Sequence, residues 1–320
     1  SNSMLVQPVN HNILINPSFT VKQRGDVVEH VKGSYGPDRW RVRGLNDVGG
    51  TKVESSTEVD DATGINKLVV KHPSDATDPI KSNANVQHRI EAVNLQGLYS
   101  KEMTFSFSYS DVSGSGIPKV WIGAWDSSDT LKVLYDAVPT SLGDNRWTCT
   151  VTLSTTDGTI PDPNEKGMQV LIWPNEQNNA PSEWSVWETK LEVGSVVTPF
   201  IARSHGEELA LCQRYFQAVT IWGGYVGSAR LSTYIYATIT FPVAMRSSPT
   251  LIGNGPLGII GNSDFVQSTA DANVISGLST DTARLKLMNF TGLTMGYCYI
   301  GSGGGRADGS YNAFYLEAEL

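Results

Sequence analysis

The feature that most constrains this chain is two-residue alternation, broken every few residues by turn-forming clusters. "MTFSFSY" sets Met103, Phe105, Phe107 and Tyr109 on one face and Thr104, Ser106 and Ser108 on the other. "WTCTVTL" repeats the device with Trp147, Cys149, Val151 and Leu153. A period of two marks a strand buried on one side. Further runs are "KLVVK" (67–71), "HRIEAV" (88–93), "GMQVLIW" (167–173) and "SVWETKL" (185–191). Between them stand "NDVGG" (46–50), "DATG" (61–64), "SGSG" (113–116) and "IPDPNEKG" (160–167). Parallel pairing would need crossover helices, and this stretch has no helical pattern to supply them. Residues 11–201 therefore read as an antiparallel β-sandwich.

One helix interrupts the pattern. In "RSHGEELALCQRYFQ" (203–217), Ser204 and Glu207 have the spacing of a capping box, in which each satisfies a backbone N–H of the other's turn. Glu207 and Glu208 fall in the first turn, where the helix dipole favours negative charge. Leu209, Cys212 and Phe216 share one stripe. Residues 202–217 are thus expected to link two domains. Beyond them, 218–320 is rich in Gly, Ser, Thr and Tyr. "LSTYIYATITF" (231–241) sets Ile235, Ala237, Ile239 and Phe241 opposite Tyr234, Tyr236, Thr238 and Thr240. Large groups on both faces of so short a segment point to cover by neighbouring subunits. The expected fold class is all-β: a jelly-roll-like sandwich joined by one short helix to a smaller distal β-domain, assembled as a trimer.

Charge and cysteine usage remove several function classes. With 32 acidic against 24 basic residues the net charge is −8, which leaves no basic patch to displace phosphate counterions, so nucleic acid is not expected as a partner. No run approaches the roughly 18 apolar residues of a membrane-spanning helix, so membrane insertion is not expected. Cys149, Cys212 and Cys298 are far apart and read as buried free thiols from a reducing cytoplasm. The five histidines are scattered without ligand spacing, so no metal is expected.

Paired carboxylates would point to glycan cleavage. Asp60–Asp61 and Asp126 with Asp129 lie in turn contexts, where aspartate caps backbone groups. Glu188 and Glu192 are about 13 Å apart on an extended strand. No GxSxG, HExxH or GxxxxGK[ST] occurs, and "GSGGGRADG" (301–309) reads as a turn. The expectation is a binding protein with no catalytic residues and no cofactor; the alternative is a tailspike-type enzyme degrading a capsular or O-antigen polysaccharide.

Aromatic residues carry the candidate site. In "IPKVWIGAW" (117–125), Val120, Ile122 and Ala124 alternate with Trp121, Gly123 and Trp125. If the aliphatic face is inside, the two indoles form an open platform for a sugar ring; if the indoles are inside, they are ordinary core. Asp126, opening the turn "DSSD", would fix sugar hydroxyls beside the platform. In "DRWRVR" (38–43), Trp40 and Val42 point one way, and Arg39, Arg41 and Arg43 the other. Such a row is a solvated face or a contact for an acidic polysaccharide, with Arg41 at its centre. Trp184 and Trp187 read as core.

Several of these segments resemble modules of bacteriophage tail fibres. "NILINPSFTVKQRG" (12–25) and "PDRW" (37–40) match their opening pattern, and "VQHRIEAVNLQGLYSKEMTFSFSY" (86–109) their central one. "ETKLEVGSVVTPFIARSHGEELALCQRYFQ" (188–217) is similar to their ending, and "FPVAMRSSPTL" (241–251) to the start of the distal fibre domain beyond it. The resemblance implies a carbohydrate-binding-module-like jelly roll (11–201), the linking helix (202–217) and a distal trimerisation and receptor-binding domain (218–320). It implies a virion protein made in the host cytoplasm. Its partners would be a host surface polysaccharide, two further copies of itself, and other tail proteins reached through a segment outside this sequence. Related sandwiches hold a structural calcium with acidic side chains; Thr20 stands where an acid is common, so none is expected here.

Overall fold

The computed structural model describes residues 11–25, 27–30, 34–43, 53–71, 84–98, 101–112, 116–125, 131–152, 167–175, 183–220, 226–252, 258–261, 264–267, 273–287, 293, 298–302 and 313–319. The chain divides into two compact units, and the division falls between Glu208 and Leu209.

The first unit is a jelly-roll-like sandwich of two antiparallel sheets. One sheet contains β1 (Val27–His30), β4 (Val53–Val59), β5 (Asn66–Lys71), β7 (Glu102–Asp111), β10 (Thr140–Gly143), β11 (Arg146–Thr152) and β13 (Glu183–Val193), in the order β1-β4-β5-β13-β7-β11-β10. The other contains β2 (Ser34–Tyr35), β3 (Trp40–Arg43), β6 (Asn85–Ile90), β8 (Pro118–Trp125), β9 (Leu131–Ala137) and β12 (Met168–Pro174), in the order β2-β3-β6-β12-β8-β9. Alternation decides what lies between them. Met103, Phe105, Phe107 and Tyr109 of β7 are fully buried, facing Val120 and Ile122 of β8 and Val170 and Ile172 of β12 in one core. Trp184 belongs to that core, its ring tilted 34° to that of Tyr109 with centroids 5.8 Å apart. The expected strand over 88–93 stops at Ile90, and Ala92–Leu95 form a 3-10 turn.

Two core expectations fail locally. Trp187 is buried, but on the outer face of the seven-stranded sheet, with Lys67 Nζ 4.7 Å from its ring. It pairs with Ser108, whose neighbours Phe107 and Tyr109 point inward, and the register shifts between Trp187 and Lys190. Arg39 does not join Arg41 and Arg43 either. It precedes β3 with φ at 71°, and its buried guanidinium donates to the Arg89 carbonyl at 2.5 Å.

Three of the motifs that resemble tail-fibre modules, 12–25, 37–40 and 188–217, converge on one polar knot. Asn12 Oδ1 accepts from the Leu14 and Leu191 amides, and its Nδ2 donates to the Thr189 carbonyl. Asn16, at φ 54°, donates to the Val21 and Asp38 carbonyls at 2.8 and 2.9 Å and accepts from the Val21 amide. Trp40 Nε1 donates to the Asn16 carbonyl at 2.8 Å. Glu208 accepts the Asn16 amide at 2.5 Å and pairs with Arg203, which also donates to the Leu14 and Asn12 carbonyls. Nearby, the buried Glu192 accepts the Thr198 amide and hydroxyl, and Lys190 Nζ neutralises it at 3.2 Å.

The capping box forms as expected. The Ser204 amide donates to Glu207 Oε2 at 3.0 Å, and the Glu207 amide to Ser204 Oγ at 3.4 Å, opening α1 (His205–Gln213). The Ser204 hydroxyl, donating to Glu207 Oε2 at 2.7 Å, and the Ser204 amide together hold the Glu207 carboxyl below its ordinary range. Phe216 is buried in the following strand rather than on the helix, because α1 ends at Gln213.

The second unit is also antiparallel. A three-stranded sheet, β14-β23-β17, joins β14 (Phe216–Thr220), β17 (Thr250–Ile252) and β23 (Ala313–Glu317). A seven-stranded sheet holds β15 (Val226–Leu231), β16 (Tyr234–Thr240), β18 (Gly258–Gly261), β19 (Asp264–Gln267), β20 (Asn273–Leu278), β21 (Thr282–Leu287) and β22 (Cys298–Ser302), ordered β19-β18-β22-β15-β16-β21-β20. Ile235, Ala237 and Ile239 are buried, whereas Thr238 and Thr240 are exposed in the single chain. All three cysteines are free; Cys298 is exposed, contrary to expectation, and burial pushes the Cys149 thiol up to about 12.

The knot and a buried histidine each yield a measurable outcome. Asn16→Ala removes three bonds to backbone groups and puts alanine at positive φ, so chemical denaturation should show a loss of about 3 kcal/mol. His30 is bonded through Nδ1 to Ser34 Oγ at 2.8 Å and through Nε2 to Ser55 Oγ at 2.7 Å, and burial lowers its pKa from 6.5 to about 4. Between those values the unfolded chain binds a proton that the folded site refuses. The contribution is complete above pH 6.5 and falls by about 3 kcal/mol as pH drops toward 4. Buried His88 shifts in the same direction, chiefly through loss of solvent. The difference in slope between wild type and His30→Asn, measured by denaturation at successive pH values, should isolate the His30 share.

Candidate binding face

The aliphatic side of β8 is the inside. Val120, Ile122 and Ala124 are buried in the core, which turns Trp121, Gly123 and Trp125 outward. Of the two readings of "IPKVWIGAW", the structure has the one with outward indoles, each half-buried. Trp121 does not stand upright. A Cβ on Gly123 would lie 2.7 Å from two of its benzo-ring carbons and closer to a third, so the indole lies down along the strand over Gly123. Only a residue without a side chain leaves room for it. Trp125 comes next on the same face, roughly 13 Å from Trp121 along the strand, with the Arg89 guanidinium 5.9 Å from its ring.

Register carries this strip across the sheet. Tyr35 pairs with Arg41, Arg41 with Gln87, Gln87 with Leu171, Leu171 with Trp121, and Trp121 with Asp136. At about 4.8 Å per strand this row runs roughly 24 Å from one sheet edge to the other. Arg41 and Trp121 therefore share one row although 80 positions separate them in sequence. Alongside it Arg43 pairs with Asn85, Gln169 with both Arg89 and Gly123, and Trp173 with Lys119. Lys119 bridges to Asp136 at 2.7 Å and lies 5.5 Å from the Trp173 ring.

The middle of the face is recessed and polar. Asn85, Gln87 and Gln169 point outward yet are buried. Gln87 Nε2 donates to Asn85 Oδ1 at 2.5 Å, whereas Gln169 Oε1 is buried without a hydrogen-bond partner. A buried acceptor without a donor is uncommon in a folded protein. Sequence reasoning missed all three amides; the signal was a polar residue at each outward position of β6 and β12, "NVQHRI" and "MQVLIW".

Asp126 and Asp129 lie outside the described residues. Asp60, Glu188 and Glu192, also considered in acid pairs, have local partners. Asp60 caps its turn through the Ala62 and Thr63 amides and binds Lys67 at 2.6 Å, which lowers its pKa to about 2. Glu188 lies 4.0 Å from Arg146, and Glu192 belongs to the Lys190–Thr198 network. Among the described residues no group of three or more His, Cys, Asp or Glu comes together.

The sequence matches no family model and no curated protein. Among solved structures it is similar to the CBM22-1 xylan-binding domain of Paenibacillus barcinonensis Xyn10C. The identity is 11% and the TM-score 0.31, over 54% of this chain and 97% of that one. The C-terminal family 22 carbohydrate binding module of Clostridium thermocellum Xyn10B gives 14% identity and a TM-score of 0.32, over 50% and 89%. The enzymatically active domain of tailspike protein 4 from bacteriophage CBA120 gives 10% and 0.34, over 57% of this chain and 21% of that one. These likenesses are shallow, and the reading of the face rests on this chain's own residues.

Gly123→Ala should tilt the Trp121 ring off the strand while changing stability by less than about 1 kcal/mol, because the displaced group is an outward side chain. A changed near-ultraviolet dichroism band with an unchanged denaturation midpoint is the expected pair of results.

Proposed function

We propose that this chain binds glycans on the outer face of its six-stranded sheet, and that it does so as the distal part of a bacteriophage tail fibre attaching to a surface polysaccharide of the bacterial host. The observation that carries the glycan reading is the Trp121 indole lying flat over Gly123, in one cross-strand row with Arg41. A flat aromatic surface matches the C–H face of a pyranose, and convergent polar groups fix orientation. Gln169 Oε1 lacks a donor, and a sugar hydroxyl entering from the face is one. Arg41 adds a fork suited to a carboxylate or a pair of hydroxyls. The fibre reading is supported by the ordered motifs that resemble tail-fibre modules. Sites of this kind are weak singly: a millimolar Kd corresponds to about −4 kcal/mol. Three copies about one axis would turn weak contacts into firm attachment through effective concentration.

Binding of the purified chain to a panel of bacterial envelope polysaccharides tests this. Trp121→Ala and Arg41→Ala should each weaken the best interaction by about tenfold or more, about 1.4 kcal/mol, with the fold intact by circular dichroism. Unchanged binding in both variants would remove the face from consideration. For the fibre reading, sedimentation should give three times the 34.7 kDa chain mass, and a stable monomer at micromolar concentration would count against it.

A further inference from the structure

A second aromatic face lies in the second unit and has a different character. On β16, Ile235, Ala237 and Ile239 are buried, which fixes Tyr234 and Tyr236 on the opposite side of the sheet. Their rings meet edge to face at 5.5 Å. The neighbouring strand β21 brings two cations to the same side: Lys286 pairs with Tyr236, and Arg284 with Thr238. Each cation reaches diagonally over a ring. The Arg284 guanidinium carbon is 4.4 Å from the Tyr236 centroid, and Lys286 Nζ is 4.5 Å from that of Tyr234. Diagonal neighbours on an antiparallel pair are within reach of such long side chains, and the electron-rich ring face holds a cation above it.

We propose that Tyr234, Tyr236, Arg284 and Lys286 form a binding site for acidic saccharides, with uronate-type sugars as the ligand class. It is distinct from the six-stranded-sheet face, although it rests on the reading that the chain binds glycans. The phenol rings offer stacking surface and hydroxyls, and the two cations offer charge-assisted bonds to a carboxylate. Local charge supports this choice. Residues 1–208 carry the whole net charge of −8, while 209–319 hold six basic and six acidic residues. A twofold contact through this face would set Arg284 and Lys286 against their own mates, a like-charge contact that opposes it, whereas a threefold assembly pairs each face with a different surface. Two cations in a strongly acidic chain are too few for polyphosphate binding, which scales with the number of neutralised phosphates.

The test is calorimetric titration of the full chain with oligogalacturonate and with its methyl ester, which has the same backbone without the charge. The acid form should bind about tenfold or more tightly than the ester. Arg284→Gln with Lys286→Gln should abolish that preference, and Arg284→Lys with Lys286→Arg should restore it, which shows that the first pair did not merely fail to fold. Tyr236→Leu should weaken the acid form by about tenfold with both charges in place. Trp121→Ala should leave acid binding unchanged; its loss there would assign the carboxylate to the first face and overturn the proposal. Failure of neutral-glycan binding with acid binding intact would count only against the first face. Equal affinity for acid and ester, no binding of either, wild-type affinity in the glutamine pair or in Tyr236→Leu, or equal binding of a single-stranded oligonucleotide would each overturn the second site. So would a change in sedimentation of the glutamine pair, which would identify the face as a contact between copies.

Discussion

The sandwich depends on how its first and last segments are tied together. A β-sandwich whose chain ends are loose leaves backbone donors and acceptors unpaired at the edge of its core, and each buried unpaired group costs about 1–3 kcal/mol. Here Asn12 bonds to both ends of the loop it closes, through the Leu14 and Leu191 amides and the Thr189 carbonyl. Asn16 does the same for Val21 and Asp38, and Glu208 returns from the helix to take the Asn16 amide. Residues nearly 200 positions apart thus satisfy one another, and the core tryptophan Trp40 is anchored to the same carbonyl cluster through Nε1. Of the segments resembling tail-fibre modules, 12–25, 37–40 and 188–217 build this knot. Their physical role in this chain is closure of the fold.

With closure handled at one end, the outer face of the six-stranded sheet is released from structural duty. Its composition reflects this. The side chains of Asn12, Asn16 and Glu208 in the knot are each bonded to backbone amides, whereas Gln169 Oε1 on the face has no hydrogen-bond partner. Gly123 makes the same point from the other side. A central strand gains nothing in stability from glycine, but a ring that must lie flat on the backbone cannot tolerate a Cβ there. Sequences depart from local stability rules chiefly where function intervenes, and both departures occur on this face.

Much of this was legible in the sequence, and the rest failed for identifiable reasons. Alternation placed Phe105 and Phe107 inside because their opposite face is all Ser and Thr, whereas for Val120 and Ile122, set against Trp121 and Trp125, it gave two faces and no means of choosing between them. The Ser204–Glu207 spacing located the helix start because capping is local chemistry. Trp187 was misplaced because it was grouped with Trp184, although a spacing of three puts the two on opposite faces of β13. Alternation misplaced Arg39 because a positive φ before β3 breaks the pattern one residue early. For the site, Trp121, Trp125 and Arg41 could be named individually. Their shared face needed the pairing β3-β6-β12-β8, which brings together strands distant in sequence and depends on every intervening register.

The two aromatic faces use the same element, an outward aromatic fixed by an inward aliphatic neighbour, yet they hold it differently. On β8 the indole lies against bare backbone, with Leu171 and Asp136 as its neighbours along the row. On β16 each phenol ring is covered by a cation. A saccharide approaching the first face meets a Trp121 ring that carries no cation among the described residues, with Arg41 and Asp136 placed along the row rather than on the ring. One approaching the second must displace or engage a cation resting on each ring. Displacement forfeits a contact worth about 0.5–1 kcal/mol at an exposed site, so a neutral sugar begins at a disadvantage there. A carboxylate bonds the cation where it already lies. Selectivity for charge on the second face therefore follows from what already occupies its rings.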